Sequence, residues 1–173
     1  SAKITWNVPA ANSYNGDAPT GYRIYGSTNG YGFDGGTYVA GGGTTTFTMT
    51  GLDPAEGAYF FKVVAVNAGG EGAASEVVAV NPKATPNGKK VLVVNGFDRF
   101  DRTGNPTQTY DGATIDRVRP RYNNSFDYSV QVAAALEAGA PGVAVATTSN
   151  ENVISGAINL ADYDAVFWIL GEE

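Results

Sequence analysis

The sequence predicts two units of different fold class. They are an all-β sandwich over residues 1–81 and an incomplete α/β unit with a parallel sheet over residues 89–173. In the first unit, short apolar segments alternate with glycine-rich turns, which is typical of a sandwich. In the second unit, continuous apolar runs flank a helical pattern, which is typical of buried parallel strands. Residues 82–88 contain two prolines and an Asn-Gly pair and are predicted to be a linker.

Composition excludes several classes of function. The 11 basic and 17 acidic residues give a net charge of −6, which argues against nucleic-acid binding through bulk electrostatics. Because the chain has no cysteine and no histidine, it cannot form disulfides, thiolate metal sites or a catalytic triad. No apolar run approaches the roughly 20 residues of a membrane-spanning helix. We therefore predict no catalytic residue, no cofactor and no membrane span.

The strands of the first unit follow from alternating apolar residues. The segment 59–66 is the longest predicted strand. An Asn-Gly turn at 29–30 ends the strand that contains Tyr22 and Tyr25, whose side chains are expected on opposite faces. The predicted strands are 4–6, 22–25, 44–50, 59–66 and 77–80.

These residues resemble a fibronectin type III domain. Trp6, followed by Gly21-Tyr22-x-Ile24-Tyr25, resembles its strands B and C, and Leu52-x-Pro54 with the alternating segment 59–67 resembles its E–F corner and strand F. The resemblance implies a tyrosine corner built from Leu52 and Tyr59. No clear strand A precedes residue 4, so we expect either that the first sheet lacks an edge strand or that the chain is a piece cut from something longer.

The second unit alternates strands and helices. Tyr128, Val132 and Leu136 lie on one face of a predicted helix, with Gly139 at its end. Strands followed by helices predict a parallel sheet, in which an order of 2-1-3 would make the first and third strands neighbours. The predicted strands are 90–95, 143–146 and 165–170, and the predicted helices are 125–138 and, more weakly, 150–158.

Three parallel strands with one long predicted helix leave part of the sheet surface uncovered. Residues 167–169 are apolar and need cover. We therefore expect the α/β unit to be incomplete, with its sheet covered by other protein chains or by a C-terminal half beyond Glu173.

The second unit has a looser resemblance of its own. Three segments carry it: Val-Leu-Val-Val-Asn-Gly-Phe-Asp-Arg at 91–99, Asn-Ser-Phe-Asp-Tyr at 124–128 and Asp-Ala-Val-Phe-Trp-Ile-Leu-Gly-Glu-Glu at 164–173. After a fibronectin type III unit, they are similar to bacterial secreted proteins described as xanthan-lyase-related or associated with N-acetylmuramoyl-L-alanine amidase. The resemblance implies a flavodoxin-like, glutamine-amidotransferase-like domain and a secreted or cell-surface bacterial protein, without implying an activity.

Charged residues mark the candidate ligand or cation site. They follow the first and third predicted parallel strands, whose carboxyl ends lie at the same edge of a sheet. The charges could bind a cation or a polar sugar, do acid–base work, or simply pair within the loop. These residues are Asp98, Arg99, Asp101, Arg102, Glu172 and Glu173.

Two aromatic residues mark the candidate carbohydrate or interface site. Tyr31 and Phe33 lie in a glycine-rich loop, where exposed rings can stack on sugars or anchor a partner.

Three functions are compatible with these patterns. The first is a non-catalytic accessory, spacer or assembly module of a secreted bacterial protein of the cell envelope or of a polysaccharide system. The second is a fragment of a hydrolase that acts on polysaccharide or peptidoglycan and is completed beyond residue 173. The third is a carbohydrate-binding module.

Overall fold

The computed structural model describes residues 1–11, 16–82, 88–97, 107–116 and 128–170. Helix α1 spans Tyr128–Gly139 and the short helix α2 spans Asn150–Ile154, with 3₁₀ turns at Pro54–Glu56 and Leu160–Asp162. The strands are β1 (Ala2–Thr5), β2 (Gly21–Ser27), β3 (Thr37–Ala40), β4 (Thr46–Met49), β5 (Tyr59–Asn67), β6 (Gly70–Ala74), β7 (Val78–Asn81), β8 (Lys90–Asn95), β9 (Thr107–Tyr110), β10 (Ala113–Asp116), β11 (Ala144–Ser149) and β12 (Ala165–Ile169).

A sandwich of two sheets forms the first half of the described chain. The smaller sheet pairs β1 with β4, and in the described residues it has only these two strands, as the missing strand A predicts. The larger sheet places β5 between β2 and the strands β6 and β7. The core between the sheets contains Tyr22, Ile24 and Phe61, and Trp6 packs against the Tyr22 ring at 5.1 Å between centroids.

The larger sheet continues without interruption into the second half. Its eight strands run in the order β12-β8-β11-β7-β5-β2-β3, with β6 also paired to β5. Strand β7 is antiparallel to both β5 and β11, while β11 and β12 run parallel to β8 on either side of it. The parallel strands therefore have the order 2-1-3, in which the first and third are neighbours. The division into two domains stays a prediction, and residues 83–87 of the predicted linker lie outside the described ranges.

Strand β5 belongs to two cores at once. Phe61 faces the sandwich core, whereas its neighbour Phe60 faces a second core beneath α1, because successive side chains of a strand point to opposite faces. The second core joins Phe60 and Ala79 of the sandwich strands to Val93 of β8 and Val130 of α1. This double burial explains the run of consecutive apolar residues along β5.

Polar contacts also connect α1 to the sandwich strands. Ser129 donates a hydrogen bond from Oγ to the carbonyl oxygen of Val77, and Asn81 Nδ2 lies 3.3 Å from Glu137 Oε2. Between the strands, the Thr147 hydroxyl accepts from the Ala79 amide at 2.7 Å and donates to the Ala79 carbonyl at 3.0 Å. Helix α1 therefore packs on strands from both halves of the chain.

Several element boundaries differ from the sequence predictions. The second parallel strand is 144–149 rather than 143–146, and α2 ends at Ile154 rather than residue 158. The predicted helix start at 125–127 lies outside the described residues. The hairpin of β9 and β10 is not among the predicted elements. Its turn has positive φ at Asp111 and Gly112, and Asp-Gly between short strands is a strong hairpin signal.

Candidate functional site

The six charged residues of the predicted ligand site lie outside the described part of the chain. The structure does describe the sheet edge that they follow. Asn95 ends β8 and is in register with Ser149 of β11 and Ile169 of β12, so the three carboxyl ends lie side by side. Carboxyl edges of parallel strands are where ligands bind in α/β sheets.

Asn95 joins this edge to the sandwich. Its Nδ2 donates a hydrogen bond of 2.5 Å to Oε2 of Glu76, which lies between β6 and β7. Asn95 is only 6% exposed, and its Oδ1 has no hydrogen-bond partner. An unpaired buried acceptor costs about 1–3 kcal/mol, so this orientation needs a compensating contact.

Burial raises the pKa of the Glu76 carboxyl above its ordinary value. The Asn95 hydrogen bond opposes this rise, and the negative charge of Glu151 adds to it. Glu76 is thus a carboxyl group held partly out of water near a second carboxylate, and the ion pairs among the described residues do not include it. Such a group favours binding of a proton or a cation.

The β11 side of the edge adds further oxygen atoms. Asn150 follows β11 directly, and its buried Oδ1 also has no hydrogen-bond partner. Glu151 is exposed beside it, and Asn152 Nδ2 donates to Oγ1 of the buried Thr148 at 3.0 Å. We call Glu76, Asn95, Asn150 and Glu151 the acceptor cluster. Sequence reasoning missed it, because Glu76 reaches the edge only through the pairing of β7 with β11.

The outer strand β12 presents apolar side chains to solvent. Its partner is β8 on one side, and no strand of the described chain pairs with its other side. Phe167 is on the α1 face of the sheet, and Val166 and Trp168 are on the opposite face. The exposed fractions are 38% for Val166, 49% for Phe167, 42% for Trp168 and 57% for Leu170. The structure thus leaves the predicted bare strand uncovered in the part it describes.

Tyr31 and Phe33 have different surroundings. Tyr31 is 40% exposed, and its amide donates to Oδ1 of Asn29 at 2.9 Å. Phe33 is half-buried, with the Lys62 ammonium 4.2 Å from its ring centroid. Phe33 also lines a cleft of about 450 Å³ together with Met49, Leu52, Tyr59 and Phe61. The loop brings one ring to the surface and places the other at an apolar cleft.

The outer face of the sandwich sheet has a polar cluster of its own. Glu71 accepts a hydrogen bond from Tyr25 Oη and forms an ion pair with Arg23 Nε, both at 2.7 Å. The Tyr25 bond, with help from Arg23, lowers the pKa of the Glu71 carboxyl and, conversely, raises the pKa of the Tyr25 hydroxyl. Tyr22 is buried in the sandwich core, so the predicted opposite orientation of Tyr22 and Tyr25 is confirmed. Each of these three side chains therefore has a hydrogen-bond or ion-pair partner within the cluster.

The geometry defines a β-sandwich module with a corner typical of one family. Tyr59 Oη accepts from the Asp53 amide at 2.9 Å and donates to the Asp53 carbonyl at 3.2 Å, which is a tyrosine corner. Comparison with known families agrees: residues 1–81 match the fibronectin type III domain and form such a domain.

The family match ends with β7. No curated protein and no solved structure matches the chain. The flavodoxin-like assignment of the second half is therefore not confirmed, and the described part of that half has one long helix where a doubly wound domain has helices on both faces. Among the described residues, no helix is long and apolar enough to cross a membrane.

Proposed function

We propose that this chain is a non-catalytic assembly module that associates with other protein chains through β12. A fibronectin type III domain is typical of modules that bind proteins or carbohydrates rather than of enzymes. We place the module in a secreted or cell-surface bacterial protein, and the low charged fraction of 16% with 23 glycines supports this setting. The single observation that carries the proposal is the apolar edge strand.

Edge strands of monomeric proteins are usually protected. Charged residues, prolines and bulges keep another strand from adding to the sheet. The segment 165–170 has none of these residues and instead contains Phe167, Trp168 and Leu170 with large exposed fractions. Because it is uncharged, two copies can pair here without like-charge repulsion. Aromatic anchors of this kind supply much of the binding energy at protein interfaces.

Sedimentation over a range of concentrations tests the proposal. The wild-type chain is expected to self-associate, and Phe167→Lys is expected to shift it to monomer, because a buried lysine in the new contact is unfavourable. Tyr38→Lys is the matched control: Tyr38 is 48% exposed on β3, at the opposite edge of the same sheet. A wild-type chain that stays monomeric at its highest soluble concentration, or one that Phe167→Lys changes no more than Tyr38→Lys, contradicts the proposal.

The cleft at Phe33 supports a second candidate function, carbohydrate binding. Its volume of about 450 Å³ is in the range of ligand pockets, and its aromatic walls suit the apolar face of a sugar ring. Retention on immobilised glycans should be lost in Tyr31→Ala and in Phe33→Ala. Absence of retention on every glycan tested would exclude this function for the chain.

A further inference from the structure

We propose that the acceptor cluster of Glu76, Asn95, Asn150 and Glu151 binds a calcium ion at the carboxyl edge of β8 and β11. The proposal does not depend on the assembly function of β12. Its basis is a set of oxygen atoms from both halves of the chain. Glu76 of the sandwich accepts a hydrogen bond from Asn95 at the end of β8, and Asn150 and Glu151 begin α2, which follows β11 directly.

The unpaired oxygens point to a ligand rather than to an ordinary polar surface. Asn95 is only 6% exposed. Its Nδ2 donates a hydrogen bond to Glu76, and its Oδ1 has no hydrogen-bond partner. The Oδ1 atom of Asn150 is in the same state. Asn95 and Asn150 thus each have a buried acceptor oxygen without a donor at this edge of the sheet. A metal cation accepts electron pairs and would satisfy such oxygens.

The local charge also favours a cation. The negative charge of Glu151 is close enough to raise the pKa of the Glu76 carboxyl. The ion pairs of the described chain, Arg23–Glu71 and Lys89–Asp164, involve neither of these carboxylates. Among the described residues, no group of three or more acidic side chains could hold a metal ion, so the remaining side-chain ligands would be the amide oxygens of Asn95 and Asn150.

The types of ligand decide between cations. Carboxylate and amide oxygens suit calcium, which accepts irregular geometry and completes its shell with water. Magnesium requires near-ideal octahedral geometry, which side chains from three separate segments meet less easily. With only two carboxylates, the expected Kd is about 10⁻⁴–10⁻³ M, in the range of extracellular calcium modules.

Thermal unfolding with calcium is the first test. At a calcium concentration about ten times Kd, Tm should rise by about 3–6 °C, and magnesium at the same concentration should raise it less. Glu76→Gln should abolish the rise, since the amide cannot provide a charged ligand. This variant keeps an acceptor for Asn95 and removes a buried charge, so it is expected to fold. Glu56→Gln, which neutralises an exposed carboxylate in the 3₁₀ turn of the sandwich, should keep the full rise.

Terbium luminescence locates the ion. The Trp168 indole lies beside Gly96, with Nε1 2.7 Å from the position of a Cβ built there, and Gly96 follows Asn95. Terbium in the cluster should therefore be sensitised by Trp168, and excess calcium should displace it. Trp168→Phe should remove the luminescence and keep the calcium-induced rise in Tm. The proposal is overturned if calcium leaves the wild-type Tm unchanged, or if Glu76→Gln retains the rise or the luminescence.

Discussion

Gly30 of the β2–β3 loop lies directly against Val130 of α1. A Cβ atom built on Gly30 would stand 2.5 Å from Cγ1 of Val130, closer than real side chains approach. Gly30 also has φ of +77°, a conformation that L-residues rarely adopt. The sandwich loop and the helix of the second half therefore meet at a contact that has no room for a side chain.

Gly30→Ala should destabilise the whole described fold. The left-handed backbone and the overlap with Val130 together predict a loss of about 2–4 kcal/mol in the free energy of unfolding. Urea denaturation measures this loss. Gly51→Ala is the matched control, because Gly51 has a similar φ of +73° and a Cβ there meets nothing within 4 Å. Equal losses in the two variants would show that loop conformation, and not the contact with α1, is responsible.

Tyr59→Phe should weaken the tyrosine corner. The variant removes both hydrogen bonds between the Tyr59 hydroxyl and the backbone of Asp53, and the expected loss is about 1 kcal/mol. Chemical denaturation of Tyr59→Phe beside Tyr110→Phe provides the comparison, because Tyr110 is 70% exposed on the β9–β10 hairpin. A Tyr59→Phe protein as stable as the wild type would mean that water replaces both bonds without cost.

Glu76 should make stability fall as pH rises. Because burial raises its pKa in the folded state above the ordinary value of 4.5, the folded protein binds the proton more tightly than the unfolded chain. The stabilisation from this group is complete below that ordinary value and is lost as pH rises through the folded pKa. Glu76→Gln should therefore be more stable than wild type near neutral pH in calcium-free buffer.

Melting temperatures across the acidic range check this expectation. The difference in Tm between Glu76→Gln and wild type should grow as pH rises from 4 to 7. A difference that shrinks over this interval would mean that the folded state favours the charged carboxylate.

Asp164 should hold the start of β12 against β8. Its carboxylate bonds the Lys89 ammonium and the Lys90 amide, both at 2.8 Å, and these contacts lower the pKa of Asp164. The contribution is therefore present above the ordinary carboxyl pKa and is lost as pH falls through the lowered value. In Asp164→Ala, hydrogen exchange of the β12 amides should be faster than in wild type.

Asp162→Ala is the control for this exchange experiment. Asp162 is an exposed carboxylate in the neighbouring 3₁₀ turn, so its removal changes the local charge by the same amount. Unchanged exchange of β12 in Asp164→Ala would show that pairing with β8 alone holds the strand.

Local patterns predicted most of the elements. The alternation along β2 and β5 and the apolar runs of β8 and β12 determine their strand character, because each pattern matches a period of two or a doubly buried strand. The β9–β10 hairpin was not predicted, although the Asp-Gly pair at 111–112 is a sequence signal for its turn.

Of the two candidate sites, the sequence predicts one and not the other. The exposure of Phe167 and Trp168 was foreseeable, since three parallel strands with one helix cannot cover both faces of a sheet. The acceptor cluster was not foreseeable, because Glu76 and Asn95 are 19 residues apart and lie on different sides of the predicted linker. Only the pairing of β7 with β11 brings them within a hydrogen bond.

Residue patterns alone predicted the fibronectin type III sandwich, its tyrosine corner and the presence of three parallel strands, β8, β11 and β12. These features depend on residue spacing within short segments, and spacing is visible in one dimension. The tertiary structure decided that the sandwich sheet and the parallel strands form one continuous sheet, with α1 packed on both. That outcome depends on backbone pairing and on side-chain contacts between distant segments, such as Gly30 with Val130, and local patterns carry no information about which strand edges meet.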